Sequence, residues 1–106
     1  MAVPPLDADD RRAALRQAAH ARHVRAEVKQ GLKSGELTIP TVLKRASEEP
    51  AIANMRVVDV IEAMPSYGPV RAAALMERLR IAPSRRIRGL GVRQRAALVA
   101  AFGTAG

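Results

Sequence analysis

The chain has 106 residues, no cysteine, an aromatic content of 2% and a formal net charge of +8. That length allows one modest core, here of Leu, Ile, Val, Met and Ala, and the missing thiols exclude disulfides and thiolate metal sites. The charge points to a polyanion (DNA, RNA or an anionic membrane) or to arginine kept only for solubility; seven arginines after Glu77 without one acid argue against the latter.

Pro4-Pro5-Leu6 closes an extended arm over residues 1–6. Asp7 then caps a long first helix, 7–33, with Asp9 and Asp10 at the positive end of its dipole. At 100° per residue, Arg11, Arg22, Arg25, Lys29 and Lys33 fall within an arc of about 80°, beside an arc of Ala14, Ala21, Val24, Val28 and Leu32. The cation row is a solvated face or a second binding surface carried by Arg22, Arg25, Lys29 and Lys33. The scarcity of acids favours the second, because only Glu27 interrupts the row after Asp10. His20 and His23 lack a third ligand nearby, so no metal is expected.

Gly35 ends the first helix, and the remaining elements fill a compact helical core over 38–103. Thr38 caps a second helix through about Ser47, with Val42, Leu43 and Ala46 inward; Pro50 breaks it, and a short third helix is expected near Ala51–Asn54. Val57–Met64 has the β-branched content of a buried strand. Its Val57, Val60, Ile61 and Met64 stripe has helical period, and the segment is assigned to helix. A helix from Val70 to Leu79, burying Ala73, Leu75, Met76 and Leu79, a basic loop Arg85–Gly91 and a last helix Val92–Phe102 complete an all-α fold of one domain.

Two segments carry the chemistry. In Pro65-Ser66-Tyr67-Gly68-Pro69-Val70, Gly68 is expected to supply a backbone conformation that other residues resist, and Pro69 to open a helix. The N–H groups of Val70, Arg71 and Ala72 would then offer a phosphate site beside the Arg71 charge. Taken alone, the stretch is more often an ordinary turn between packed helices. In Arg85-Arg86-Ile87-Arg88-Gly89-Leu90-Gly91, three guanidinium forks suit phosphates, Gly89 and Gly91 would let the backbone approach a partner, and Ile87 and Leu90 would anchor the loop. A purely solvated charge run has no need of such anchors.

With these segments in place, the chain resembles the actinobacterial integration host factors. The resemblance rests on the opening Met1-Ala2-Val3-Pro4-Pro5-Leu6, the alanine- and arginine-rich first helix, the Met64–Ala72 turn and the Arg85–Gly91 loop. It implies a nucleoid-associated DNA-binding protein with a helix–two-turns–helix motif, unrelated to the β-armed dimers that share the name. It also implies backbone contacts from Pro65, Gly68, Val70 and Arg71 and basic contacts from Arg85, Arg86 and Arg88. Ser66-Tyr67-Gly68-Pro69-Val70 stands where members often carry Lys-Val-Gly-Lys-Val.

The function expected is therefore low-specificity binding of double-stranded DNA by a monomeric architectural protein that bends or compacts it in the cytoplasmic nucleoid and supports recombination. Structured RNA or the ribosome is the alternative partner, though scarce aromatic residues disfavour single strands. An adaptor for an acidic protein or membrane surface would need an apolar patch beside the charge, and no membrane partner is expected. No histidine has a partner acid and nucleophile, and no glycine-rich nucleotide loop occurs. Neither catalysis, a cofactor nor a small-molecule substrate is expected.

Overall fold

Alanine, arginine and a side-chain cap build α1 (Ala8–Ser34), the longest element. Asp7 accepts from the Asp10 amide at 2.8 Å, and Asp9 pairs with Arg12. The computed structural model describes residues 7–103, so the expected arm over 1–6 lies outside the described residues. At 1.5 Å per residue α1 is about 40 Å long, and the molecule measures 50 × 31 × 25 Å. Its apolar arc is buried only from Val24 onward, through Val28, Gly31 and Leu32. Ala14, expected to pack, is exposed and Ala21 half-buried, because alanine offers too little surface to hold the first turns against the domain.

A tight return ends α1. Gly35 takes the left-handed conformation (φ 86°), and Leu37 N–H donates to Gly31 O at 2.9 Å. Gly31 has a packing reason to lack a side chain, since a Cβ there would stand 2.6 Å from Leu37 Cδ1. Thr38 caps α2 (Ile39–Ala46), accepting from Thr41 N–H. Glu49 precedes α3 (Pro50–Ala53) and receives a two-pronged hydrogen bond from Arg45, Nε to Oε2 at 2.7 Å and Nη2 to Oε1 at 3.1 Å. That contact holds the Glu49 carboxyl below the usual carboxylate range and raises the Arg45 guanidinium.

The ambiguous segment is helix α4 (Val57–Glu62), with Val57, Val60 and Ile61 buried. It ends before Met64, which is half-buried outside it. The β-branched residues stay helical because their stripe faces the core. Sheet-like pairing is confined to the bridge between Arg56 and Arg86, and among the described residues no strand forms. Helix α5 (Pro69–Arg78) buries Ala72, Leu75 and Met76; the expected Ala73 is exposed and Leu79 only half-buried. A single 3-10 turn, Ile87–Gly89, and α6 (Val92–Ala101) follow.

Ile52, Ile61, Ile87, Leu98 and the valines of α1, α2 and α4 form one aliphatic core, each large side chain contributing about 1.5–3 kcal/mol. Tyr67 and Phe102 pack only at its edge, rings 5.1 Å apart. Among the described residues no polar or charged side chain is buried, and no helix is long and apolar enough to cross a membrane.

Candidate nucleic-acid interface

The α4–α5 connection begins with a turn in which Tyr67 N–H donates to Met64 O at 3.1 Å. Pro65 holds the second position and Ser66 the third, with φ 69°, the pattern of a type II turn. The left-handed residue is thus Ser66 and not Gly68, correcting the sequence expectation. Gly68 is extended (φ −100°, ψ −176°), a conformation any residue adopts, and a Cβ on it would meet nothing within 4 Å. What the turn needed was one left-handed position, and the type II geometry puts it directly after Pro65.

Gly68 is the N-cap of α5, and its carbonyl accepts from Ala72 N–H at 2.9 Å. The Ala72 donor is therefore spent inside the helix, leaving Val70 and Arg71 as the outward N–H groups, since Pro69 has none. Val70 is 85% exposed. Arg71 folds back over the turn, its Nη1 donating to Ser66 O at 3.2 Å and its Cζ lying 4.2 Å from the Tyr67 ring centre. Geometry of this kind fixes a guanidinium without neutralising it.

Helix α5 closes with a left-handed Arg80 (φ 58°), where Ile81 N–H donates to Met76 O and Arg80 N–H to Glu77 O. The basic loop is then clamped to the α3–α4 junction, with Val57 N–H on Arg85 O at 2.9 Å and Ile87 N–H on Met55 O at 3.0 Å. Ile87 and Leu90 are buried, as their anchoring role required. Arg86 Nη1 donates to Asn54 O, and Arg85 Nη1 to Gly89 O at 2.8 Å. Both arginines are held by neutral carbonyls, so their charge stays available, and Arg88 is exposed. Gly89 has a packing reason as well: a Cβ there would stand 3.0 Å from Arg85 Cδ, so its absence lets Arg85 fold across the turn. Gly91 opens α6, its N–H taken by Gln94 Oε1, while Gln94 Nε2 donates to Arg80 O.

Tertiary packing sets parts of these segments beside α1. A recess of about 630 Å³ is lined by Lys29 and Lys33 of α1, Asp59 and Glu62 of α4, and Pro65, Ser66 and Tyr67 of the turn. A smaller notch of about 160 Å³ is lined by Arg25, Lys29, Asn54, Met55, Arg56, Asp59 and Arg86. Lys29 and Asp59 border both, so Pro65, Ser66 and Tyr67 of the turn and Arg86 of the loop line adjoining recesses, whereas Gly68, Val70, Arg71, Arg85 and Arg88 line neither. Of the α1 cations, Arg25, Lys29 and Lys33 line these recesses, and Arg22 is exposed outside both. Arg56 was not singled out from the sequence. The signal was available, a lone arginine between two apolar segments, but only the bridge to Arg86 gives it meaning.

This arrangement has relatives. The chain is 48% identical over 105 residues to an integration host factor of Mycobacterium tuberculosis, covering 99% of this chain and all of that protein. The chain belongs to the actinobacterial integration host factor family. Family members from Streptomyces coelicolor (47% identity, 100% of this chain and 99% of that protein) and Mycolicibacterium smegmatis (46%, 96% and 97%) match it at nearly full length. Residues 32–102 match the family model of the S13-like H2TH domain, which spans the end of α1 through α6. A solved structure, described as sIHF bound to an 8-bp palindromic DNA, superposes with a TM-score of 0.81 at 45% identity, covering 83% of this chain and 99% of that one. The helix–two-turns–helix fold expected from the sequence is thus the fold of the family.

Proposed function

We propose that this integration host factor relative binds duplex DNA as an architectural protein, gripping phosphates with little base specificity and bending or compacting the duplex. The observation that carries the proposal is that the start of the turn, Lys29 and Lys33 line one recess and Arg25, Lys29 and Arg86 line another that adjoins it through Lys29 and Asp59. The related structure bound to an 8-bp DNA supports it. The footprint comprises Pro65, Gly68, Val70, Arg71, Arg85, Arg86, Arg88 and Gly89, extended along α1 by Arg22, Arg25, Lys29 and Lys33. Guanidinium forks and two helix N–H groups recognise phosphate oxygens and read no base edge. The protein acts as a monomer on the nucleoid in the cytoplasm, by binding and without catalysis, and supports recombination.

The test is a salt series. Log affinity for a duplex should fall linearly with log salt, with a slope corresponding to roughly 4–8 neutralised phosphates. Single-stranded DNA should bind more weakly at every point, because the aromatic side chains needed for base stacking are nearly absent. A salt-independent affinity would overturn the proposal. The S13-like character of the matched domain favours one second reading, structured RNA. Preferential competition by a folded RNA over duplex DNA would establish it instead.

A further inference from the structure

Four cations meet in the notch between α1, the α3–α4 junction and the basic loop: Arg25, Lys29, Arg56 and Arg86. Among the described residues that line it, Asp59 is the one acid. The arrangement is built, because each cation hangs from backbone that packing or pairing has fixed. Arg25 and Lys29 lie one turn apart on α1, and Arg25 is half-buried. Arg56 is the extended N-cap residue of α4 (φ −72°, ψ 139°) and bridges to Arg86. Arg86 is further tied by its guanidinium to Asn54 O. Their backbone anchors keep the four cations within reach of one notch, with Arg86 further held at Asn54 O, so the notch favours an anion.

The notch has room for a phosphate group together with hydrating water. Within it, Arg56 Nε donates to Asp59 Oδ2 at 3.3 Å, and its terminal nitrogens take no partner among the described residues. Arg56 is 54% exposed and Asp59 28%, so the pair is long, wet and weak. Arg56 owes its place to the bridge and the helix start rather than to Asp59. The carboxylate therefore acts on the notch mainly through its negative charge.

We propose that this notch seats one phosphate of the duplex backbone, that Arg56 supplies one of its contacts, and that Asp59 is a built-in competitor limiting how tightly the phosphate is held. The proposal rests on the reading that this face binds duplex DNA and adds a residue and a regulator to it.

Four variants on one labelled duplex test it, each with helicity and thermal stability measured in the same buffer. Arg56→Gln should weaken binding about threefold to tenfold and lower the salt slope by about one. Asp59→Asn, which keeps the side-chain shape, should strengthen binding about twofold to fivefold at low salt. The double variant Arg56→Gln/Asp59→Asn has the parent's net charge and should bind at least about threefold more weakly than Asp59→Asn alone. Equality of those two would overturn the Arg56 contact, and an Asp59→Asn protein no tighter than the parent would overturn the competitor. Arg85→Ala/Arg88→Ala, outside the notch, separates the two levels of inference. If it weakens binding while the notch variants match the parent, the notch fails and the duplex reading stands; if the parent itself lacks salt-dependent duplex binding, the reading fails. Inorganic phosphate without DNA, at matched ionic strength, should raise the melting temperature no more than chloride does, because a duplex phosphate is held there together with its neighbours' contacts. A saturable stabilisation by phosphate alone that Arg56→Gln abolishes, with duplex affinity unchanged in that variant, would assign the notch to a free phosphate ion and overturn the backbone seat.

Discussion

Ser66 and Gly68 exchange the roles that their residue types suggest. Ser66 carries the positive φ, while Gly68 is extended and open. A side chain at Gly68 therefore costs the fold little beyond a poorer N-cap, about 1 kcal/mol, and its backbone already has the conformation that a residue before proline requires. Gly68→Val should fold with a melting temperature close to the parent's and nevertheless bind duplex more weakly, because its methyl groups stand where a phosphate would approach the Val70 and Arg71 N–H groups. Anisotropy titration of the folded variant checks this, and parental affinity would leave the α5 start a purely structural turn. Charge at single residues also carries a pH signature. Arg45 holds Glu49 below its ordinary pKa, so the pair's stabilisation is fully present above that ordinary value and lost as the pH falls through the lowered one. Glu49→Gln should flatten the acid limb of the melting temperature between neutral pH and about pH 3. The effect should be small, because the Glu49 side chain is 37% exposed.

Elements here are held by their ends as much as by their faces. Helix α1 turns into α2 through Gly31, Gly35 and Leu37, and the Gly31 position has no room for a methyl group. Alanine is the better helix former by about 1 kcal/mol, yet Gly31→Ala should destabilise the protein by about 1–3 kcal/mol, since Leu37 must be displaced from its packing. In a Leu37→Ala background the same substitution should be neutral or stabilising; urea unfolding of the four proteins measures both. A reader of the sequence would fault a glycine inside a helix, and its reason lies in a residue beyond the helix end. Helix α4 was legible for the opposite reason. Val57, Val60 and Ile61 needed only their own spacing to identify a buried helical face.

At the scale of the whole molecule, Arg86 of the basic loop lines a notch with Arg25 and Lys29 of α1, and under the proposed function the charges of loop and helix are read together. Replacing Arg85, Arg86 and Arg88 with alanine should weaken duplex binding at least tenfold at moderate salt and lower the salt slope by about three, if each holds one phosphate. Stability should change by less than about 1 kcal/mol, because all three side chains are exposed and the loop is anchored by Ile87 and Leu90. Loss of helicity in that variant would mean that the Arg86–Asn54 and Arg85–Gly89 contacts hold the loop, and the binding loss would then report on folding.

The sequence by itself determined the helical class, the positions of the caps at Asp7, Gly35 and Thr38, and the two segments rich in contact chemistry. Those depend on periodicity, on local hydrogen-bonding chemistry and on charge, all properties of neighbours along the chain. Tertiary structure decided the rest. It decided that α1 packs only from Val24 onward, that Arg25, Lys29 and Lys33 line recesses with parts of the turn and the loop, and that Arg56 and Asp59 border them. Helical periodicity orders residues around one axis and carries no information on which faces of separate helices meet. Here α1 meets the domain through Val24, Val28 and Leu32, and the loop meets the α3–α4 junction through the Arg56–Arg86 bridge and the Ile87–Met55 hydrogen bond, between residues some thirty positions apart.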